Sequence, residues 1–300
     1  MLLGGYSTEV RKETVVSGTY SGIGRKKLII VRKIAWVIGK LLPFTQRYTM
    51  TTKVTFGLTN GAGVVGHDKI ANLFGAAREM FGLSRIPGFV EDAGRKYLLK
   101  TRDAEYHHYA DFHFGDTIKT VIDVAEVNGA NFKLRGRFIN KETGKICATA
   151  LQTIAYTNLQ GKPVGFPKWL KILLELSCSQ DAAEEKTIKC ELTGGYKVYE
   201  HQVVVTSEMT NAERNVSHDE YAKMMIRTIE QFLLSGADDR QVCLLKVKGG
   251  LYKYKRDFFF GDKITIKLYV ARHKGNAVMF EAEFLDETGG DNAYGRLEVN

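Results

Sequence analysis

The sequence predicts an α+β protein made of two tandem copies of one unit, each with a central helix wrapped by a curled antiparallel sheet. Residues 59–81 recur as residues 210–232 without a gap, and eight of the 23 positions are identical. Apolar side chains in both passages follow the 3.6-residue spacing of a helix. Blocks that alternate apolar and polar residues follow each passage, as half-buried strands do.

Each copy has the same order of strand, helix and sheet. The first copy is assigned to residues 50–165 and the second to residues 200–300. A strand-like run, MTTKVTFGLTN or EHQVVVTSEMTN, precedes each helix. After a loop, matched blocks from Tyr109 and Lys255 supply three or four long antiparallel strands, with hairpin turns at VNGAN and HKGNA. Residues 166–199 connect the copies through an amphipathic helical run and a polar, solvent-facing stretch.

The two central helices carry more apolar surface than an exposed helix tolerates. The predicted buried faces are Ile70, Leu73, Phe74, Ala77, Met80 and Phe81 in the first copy, and Tyr221, Met224, Met225, Thr228 and Phe232 in the second. Burial of each large side chain is worth roughly 1.5–3 kcal/mol. We therefore expect each helix to form the core of its own copy.

The composition indicates a globular chain without a nucleic-acid-binding surface. Hydrophobic residues make up 44% of the 300 positions, and the net charge is +9. Residues 1–49 carry nine basic and two acidic groups, so the rest of the chain is nearly neutral. A nucleic-acid-binding domain requires a basic stripe, and we predict no such partner. The four cysteines lack metal-ligand spacing, and we predict no metal and no cofactor. Free thiols are typical of a reducing compartment, so we expect a cytoplasmic protein.

The basic N-terminal extension, residues 1–49, contains an amphipathic helical pattern at residues 26–44. Lysines recur there every seven positions, and apolar residues occupy the other faces. Arg32 and Lys33 interrupt the apolar run, so the segment does not have the uncharged length of a membrane span. Two interpretations stay open: peripheral contact with an anionic membrane surface, and packing on the body of the protein.

The passage GAGVVGHDKIANLFGAAREMF resembles the helix-start motif of the 4-hydroxybenzoyl-CoA thioesterase superfamily, whose fold is the hotdog. Within that superfamily, Asn60 in TN, Gly63 and the AREMF run are most similar to enediyne polyketide thioesterases. The resemblance implies a double hotdog whose second copy serves as the dimer partner, with a site at the seam. It also implies hydrolysis of an acyl or polyketide thioester of coenzyme A or acyl carrier protein, and leaves open a homodimer of double hotdogs.

The catalytic prediction centres on the start of the first helix. Helix N-termini present unpaired N–H groups that stabilise an oxyanion, so the amides of Val65, Gly66 and His67 are the predicted donors. The glycines Gly61 and Gly63 are expected to let the substrate approach the backbone. The histidine side chain could act as a base or donor, or serve only as a polar helix-start residue.

The resemblance assigns two further residues of the first copy. Asn60 is implied to orient water or substrate, and the alternative is an asparagine that caps its loop. Arg78 matches the helix arginine of the family and is expected to line an acyl tunnel or to reach across the seam. The alternative is a salt bridge with Glu79 or a neighbour. Phe74, on the same helix, is predicted to contact the substrate.

The second copy supplies a second set of predicted substrate-binding residues. Asn211 and His218 repeat the loop and helix-start positions, and Tyr221 matches the helix tyrosine of the family. Glu213 is the carboxylate of this loop and a further candidate for a base. Because the copies divide the features of the family, we expect two unequal sites. The alternatives to hydrolysis are a non-catalytic acyl-binding or partner-binding module and a hotdog dehydratase or hydratase.

Overall fold

The computed structural model describes residues 47–86, 95–178, 195–211, 214–236, 245–274 and 277–300. The predicted amphipathic segment 26–44 and the candidate base Glu213 lie outside these ranges. Among the described residues, no helix combines the length and the apolar character needed to cross a membrane.

The elements of the two halves follow the predicted repeat. The first half contains β1 (Tyr48–Lys53), α1 (His67–Arg85), β2 (Leu98–His108), β3 (Thr117–Asn128), β4 (Asn131–Asn140) and β5 (Ile146–Thr157). Helix α2 (Lys168–Leu176) follows. The second half contains β6 (Tyr196–Val204), α3 (His218–Gly236), β7 (Val247–Tyr254), β8 (Lys263–Lys274), β9 (Ala277–Leu285) and β10 (Asp291–Val299). A short 3-10 turn precedes α1 at Phe56–Leu58 and α3 at Ser207–Met209.

All ten strands belong to one antiparallel sheet with the order β1-β3-β4-β5-β2-β7-β10-β9-β8-β6. The second half repeats the strand order of the first in reverse, so β2 and β7 meet at the centre. In their register Ala104 lies opposite Tyr252, and Tyr106 lies opposite Gly250. The two halves therefore join edge to edge in one continuous sheet.

The loops repeat as closely as the strands. The turns before β3 and β8 place Gly115 at φ +89° and Gly261 at φ +90°, in the region that favours glycine. In each turn the following aspartate, Asp116 or Asp262, accepts a hydrogen bond from the backbone N–H three residues earlier, at 2.9 and 2.7 Å. The two halves thus share turn chemistry as well as topology.

Helices α1 and α3 form the cores of the two halves, as the apolar spacing predicts. Phe74 of α1 is fully buried and meets Tyr106 and Phe138 edge-on, with ring centroids 6.4 and 6.3 Å apart. The corresponding buried residues of α3 are Tyr221, Met224, Met225, Thr228 and Ile229. Phe232, predicted on the same face, is only partly buried. Met80 is an exception in α1, because 37% of it is exposed.

Strands β2 and β7 differ from the sequence prediction, which placed a loop between each helix and its matched block. Their sequences, LLKTRDAEYHH and VKGGLYKY, lack regular alternation, and β7 contains two consecutive glycines, which strands usually avoid. A steric requirement explains the second of these glycines, Gly250. A Cβ at Gly250 would lie 2.7 Å from the Nε2 atom of His67.

The connection between the halves begins as part of the first half. In α2, Leu170 and Leu174 are buried, and Cys178 just beyond it forms a parallel bridge with Val124 of β3. The predicted amphipathic helix is therefore present, with its apolar side chains packed. The polar stretch expected to face solvent lies outside the described residues. Strand β6 begins at Tyr196, inside the range predicted as a linker.

Gly136 of β4 tests the packing of α1 on its sheet. A Cβ at this position would lie 2.5 Å from the Cε2 atom of the Phe74 ring, too close for van der Waals contact. Because overpacking of a core typically costs about 1–3 kcal/mol, we expect Gly136→Ala to lower the free energy of unfolding in urea by about that amount. Gly165→Ala is the matched control, since no atom lies within 4 Å of its added methyl group. Equal stability of Gly136→Ala and the wild-type protein would contradict this packing.

Candidate functional site

A cavity of about 420 Å³ lies at the seam between the halves. The first half contributes the loop before α1, the first turn of α1 and the residues around the end of β2. The second half contributes one face of α3, from Lys223 to Leu234, and residues 245–247 at the start of β7. One cavity therefore has walls from both copies, and the start of α1 opens into it.

Asn60 lines this cavity, but its side-chain oxygen is engaged within the loop. The Oδ1 atom accepts hydrogen bonds from the backbone N–H groups of Ala62 and Val64, at 3.0 and 3.3 Å. Because both lone pairs are used, Oδ1 is not available to accept a proton from attacking water. Of the two alternatives, the structure shows the loop cap for this oxygen, and the Nδ2 group keeps its capacity to donate.

The start of α1 supplies two of the three predicted backbone donors. Gly66 is the N-cap residue and His67 the first helical residue, so their amides have no intrahelical acceptor. The prediction for Val65 is corrected, because its N–H donates to the carbonyl oxygen of Phe112 at 2.9 Å. A Cβ at Gly66 would lie 2.6 Å from an oxygen of the Asp68 carboxylate, so the absence of a side chain leaves room for that carboxylate beside the helix start.

A buried chain of polar side chains lies directly behind the helix start. The Nδ1 atom of His67 is 2.8 Å from Nε2 of His108, and its Nε2 atom is 3.1 Å from the Tyr252 hydroxyl. His67 is only 4% exposed, and its ring lies against Gly250 of β7. The second half therefore holds a side chain of the first half in place from across the seam.

Burial sets the protonation of this chain. It lowers the pKa of His67 well below its ordinary value, and the charge of His108 adds to the effect. Burial also lowers the pKa of His108, to about 4, with a contribution from His107. The pKa of Tyr252 is raised well above its usual range by burial. Near neutral pH both imidazoles are therefore uncharged and the phenol keeps its proton.

Three carboxylates also line the cavity. Asp111 pairs with Lys246 at 2.8 Å, and Asp68 lies 3.3 Å from the Lys69 ammonium. Burial and the neighbouring Asp68 raise the pKa of Glu230, which lies on α3. The first-half wall therefore faces a carboxylate supplied by the second half.

The start of α3 lies away from this cavity wall, against the middle of α1. His218 is 8% exposed, and its Nε2 atom has no hydrogen-bond partner among the described residues. A Cβ at Gly75 of α1 would lie 3.0 Å from the His218 ring. Asp219 accepts a hydrogen bond from Asn72 Nδ2 at 2.8 Å. The two helices thus pack side by side, with the start of α3 against the body of α1.

Arg78 belongs to the surroundings of the second helix start. Its Nη1 group donates to Thr101 Oγ1 at 2.7 Å and to Gln152 Oε1 at 3.2 Å. Burial and then the Arg78 charge lower the pKa of His218. Both hydrogen-bond partners of Arg78 belong to strands of its own half, β2 and β5. The roles of Arg78 in an acyl tunnel or across the seam stay predictions.

Two predicted substrate contacts are corrected to core positions. Phe74 is fully buried against Tyr106 and Phe138, and Tyr221 is 3% exposed among Tyr254 and other aromatic rings. Helical periodicity identified their buried face correctly, but that face contacts protein rather than a ligand.

The remaining predicted residues are divided between the cavity and the repeated turns. Gly61 lines the cavity, whereas Gly63 adopts φ +73° in the exposed turn. Asn211 closes the corresponding turn of the second half by accepting from Arg214 N–H at 2.9 Å. The cavity thus brings together Asn60, Gly61, Gly66 and His67.

Sequence reasoning missed His108, Tyr252 and Glu230 as parts of this cavity and its support. The one available signal was the repeat itself, because Glu230 is identical to Glu79 at the equivalent position. Nothing in the sequence spacing indicates that His67 contacts Tyr252, which is 185 positions away.

Comparison with known proteins identifies the family of the first half. Residues 54–174 match the model of the thioesterase-like superfamily. No curated protein sequence matches the chain. The resemblance of the helix-start motif to hotdog thioesterases is thereby confirmed at the level of the superfamily.

Solved structures confirm the fold over most of the chain. The 12:0-ACP thioesterase from Umbellularia californica covers 85% of this chain and 94% of its own length, with 11% identity and a TM-score of 0.69. An acyl-ACP thioesterase from Bacteroides thetaiotaomicron covers 88% and 99%, with 14% identity and a TM-score of 0.66. The Dynemicin thioesterase covers 45% and 99%, with 23% identity and a TM-score of 0.41. The first two structures, which cover most of this chain, confirm the α+β double-hotdog architecture.

The buried neutral histidines predict that stability falls as the pH is lowered. Folding holds the pKa of His67, His108 and His218 below 6.5, whereas the unfolded chain binds protons near that value. Because the unfolded chain then binds more protons, acid favours unfolding. We expect Tm to fall between pH 7 and pH 5, and to continue falling toward the His108 pKa of about 4.

Thermal melts across this pH range provide the measurement. His218→Gln should reduce the slope, because it removes one buried titrating group. His113→Gln, at an exposed position, should leave the slope unchanged. A Tm that stays constant between pH 7 and pH 5 would contradict the neutral, buried state of the three histidines.

Proposed function

Since residues 54–174 match the thioesterase-like superfamily and the chain is a double hotdog, we propose that this protein hydrolyses an acyl or polyketide thioester. The thiol carrier is coenzyme A or an acyl carrier protein, and the reaction takes place in the seam cavity at the start of α1. One observation carries this proposal: a single cavity has walls from both halves and contains the open amides of α1 beside a buried histidine chain.

The backbone of α1 has the groups that acyl transfer requires. The amides of Gly66 and His67 would hold the thioester carbonyl oxygen and stabilise the negative charge that develops on it. Water then attacks the carbonyl carbon, and collapse of the tetrahedral intermediate breaks the C–S bond. Removal of one such donor in other acyl-transfer enzymes costs about 10²–10³-fold in rate.

The rest of the cavity fits a thioester substrate. Ile70, Ile226 and Leu234 supply apolar surface for the acyl chain, and Arg227 and Lys223 supply positive charge on α3. Both carriers present the thiol on a phosphate-bearing pantetheine arm, which these cations would favour. The acyl carrier protein has additional support, because proteins of the same fold are described as acyl-ACP thioesterases.

The equivalent histidines at the two helix starts give a matched test of the active site. Hydrolysis by the purified protein is measured against a panel of acyl-CoA and acyl-carrier-protein thioesters. His67→Ala should lower kcat/KM by about 10²-fold or more, because it removes a group at the reacting end of the cavity. His218→Ala, the same change at the start of α3, should stay within about threefold of the wild-type value.

Other outcomes separate the alternatives. Loss of activity in His218→Ala with retention in His67→Ala would move the active site to the second helix start. Thermal stabilisation by acyl thioesters without turnover would instead identify a non-catalytic acyl-binding module. Water loss from a 3-hydroxyacyl thioester would identify a dehydratase.

Asn60 is expected to act through its loop. Asn60→Ala removes the acceptor for two amides, so we expect the loop to loosen and the hydrolysis rate to fall by about tenfold or more. Asn60→Asp keeps an oxygen acceptor at this position and should retain most of the activity. Asp activity as low as that of Ala would show that the Nδ2 group is required instead.

A further inference from the structure

We propose that His108 is the base that removes the proton from the attacking water, held in position by His67 and, across the seam, by Tyr252. This inference rests on the proposed thioester hydrolysis. It assigns the proton transfer to a residue at the end of β2.

The cavity contains few groups able to accept this proton. The Asn60 oxygen is already occupied by two backbone amides. Of the carboxylates, Asp111 is paired with Lys246, and Asp68 is turned back over Gly66 beside Lys69. Both ring nitrogens of His67 are engaged, with His108 and with Tyr252. Among the described residues that line the cavity, two candidates remain, His108 from the first half and Glu230 from the second.

Charge favours the histidine over the carboxylate. As water attacks, the carbonyl oxygen becomes negative at the start of α1. A carboxylate base such as Glu230 would begin the step with a negative charge in a cavity that already contains Asp68. The neutral imidazole of His108 instead becomes a cation as it takes the proton, so it attracts the oxyanion when that charge is greatest. Burial disfavours this cation and holds the pKa of His108 at about 4, and the oxyanion formed in the same step offsets that cost.

The hydrogen-bonded chain can present the required lone pair. When His108 Nε2–H donates to His67 Nδ1, the Nε2–H of His67 donates to the Tyr252 oxygen. The Nδ1 atom of His108 then carries the free lone pair on a residue that lines the cavity. His67 thus fixes the orientation of the base, which is the role of the third group in other hydrolytic sites.

The complete step balances on these groups. The water oxygen forms a bond to the carbonyl carbon while its proton passes to Nδ1 of His108. The Gly66 and His67 amides hold the resulting oxyanion. When the C–S bond breaks, the thiolate takes the proton back from His108, and the products are a carboxylic acid and a free thiol. No oxidant, metal or second substrate other than water enters the reaction.

The second half gives an internal contrast. In the repeated blocks Tyr254 occupies the position equivalent to His108, at the end of β7. Its hydroxyl donates to the backbone oxygen of His218 at 3.1 Å, and burial raises its pKa well above the usual range. A phenol in this state is no base, so the histidine pair exists at the start of α1 and not at its equivalent.

Chemical rescue tests the assignment. His108→Ala is expected to lower kcat by about 10²–10⁴-fold with little change in KM, because the base acts in the chemical step. Added imidazole should restore hydrolysis in proportion to its concentration, an effect that a purely structural role would not produce. His113→Ala is the control, since this histidine is exposed and does not line the cavity, and it should stay within about threefold of the wild-type value.

A second variant guards against a folding defect. His108→Gln keeps an amide donor toward His67 but has no basic nitrogen, so it should fold with an unchanged circular dichroism spectrum and remain inactive. Tyr252→Phe should lower kcat by a smaller factor, because the chain loses its end acceptor while the base remains.

The results that overturn the proposal differ from those that overturn the function. Wild-type turnover of a thioester combined with full activity of His108→Gln rejects His108 and leaves hydrolysis standing. Loss in His108→Ala that imidazole does not restore, with equal loss in Glu230→Gln, assigns the base to Glu230 instead. Absence of turnover by the wild-type protein across the whole panel rejects both the function and its base.

Discussion

The pairing of β2 with β7 is the constraint on which the rest of the structure depends. It joins two five-stranded layers into one sheet and sets the register that places Tyr106 opposite Gly250. That register brings the bare backbone of Gly250 beneath the His67 ring and the Tyr252 hydroxyl beside its Nε2 atom. A displacement of one residue would turn these side chains to the other face of the sheet. The core, the seam and the cavity therefore all depend on the register between β2 and β7.

The same pairing makes the two helix starts structurally inequivalent. The start of α1 opens into a cavity walled by α3, whereas the start of α3 lies against Gly75 and Asn72 of α1. The first has an imidazole pair behind it. The second has a buried histidine whose Nε2 atom has no hydrogen-bond partner in the part of the chain that the structure describes. Divergence between the copies has thus changed the polar groups at the two helix starts, while the sheet and its turns are the same in both halves.

The architecture was predictable from sequence because it follows from local periodicity and from the repeat. Spacing at 3.6 residues identified both helices, and paired turns with glycine located the long hairpins. The sequence pattern did not reveal strands β2 and β7, because contacts across the seam determine their composition. Gly250, for example, has no side chain and therefore leaves room for the His67 ring. Local strand preference cannot reveal such a requirement.

The candidate site was predictable only in part, for a related reason. The motif located the helix start, and Asn60, Gly61, Gly66 and His67 do line one cavity. It could not distinguish a free amide from an engaged one, as at Val65, nor a core aromatic from a ligand contact, as at Phe74. His108 and Tyr252 reach His67 only through the folded sheet, so no spacing in the chain indicates them.

The covalent link between the halves has a thermodynamic consequence. In an assembly of two separate subunits, dilution promotes dissociation, and apparent stability depends on protein concentration. Here the two edges that pair at the seam belong to one polypeptide, so their encounter is intramolecular and its effective concentration does not change with dilution. The pairing of β2 with β7 should therefore persist at low protein concentration. In a symmetric homodimer each substitution appears on both sides of the interface, whereas here the two edges can change independently of each other.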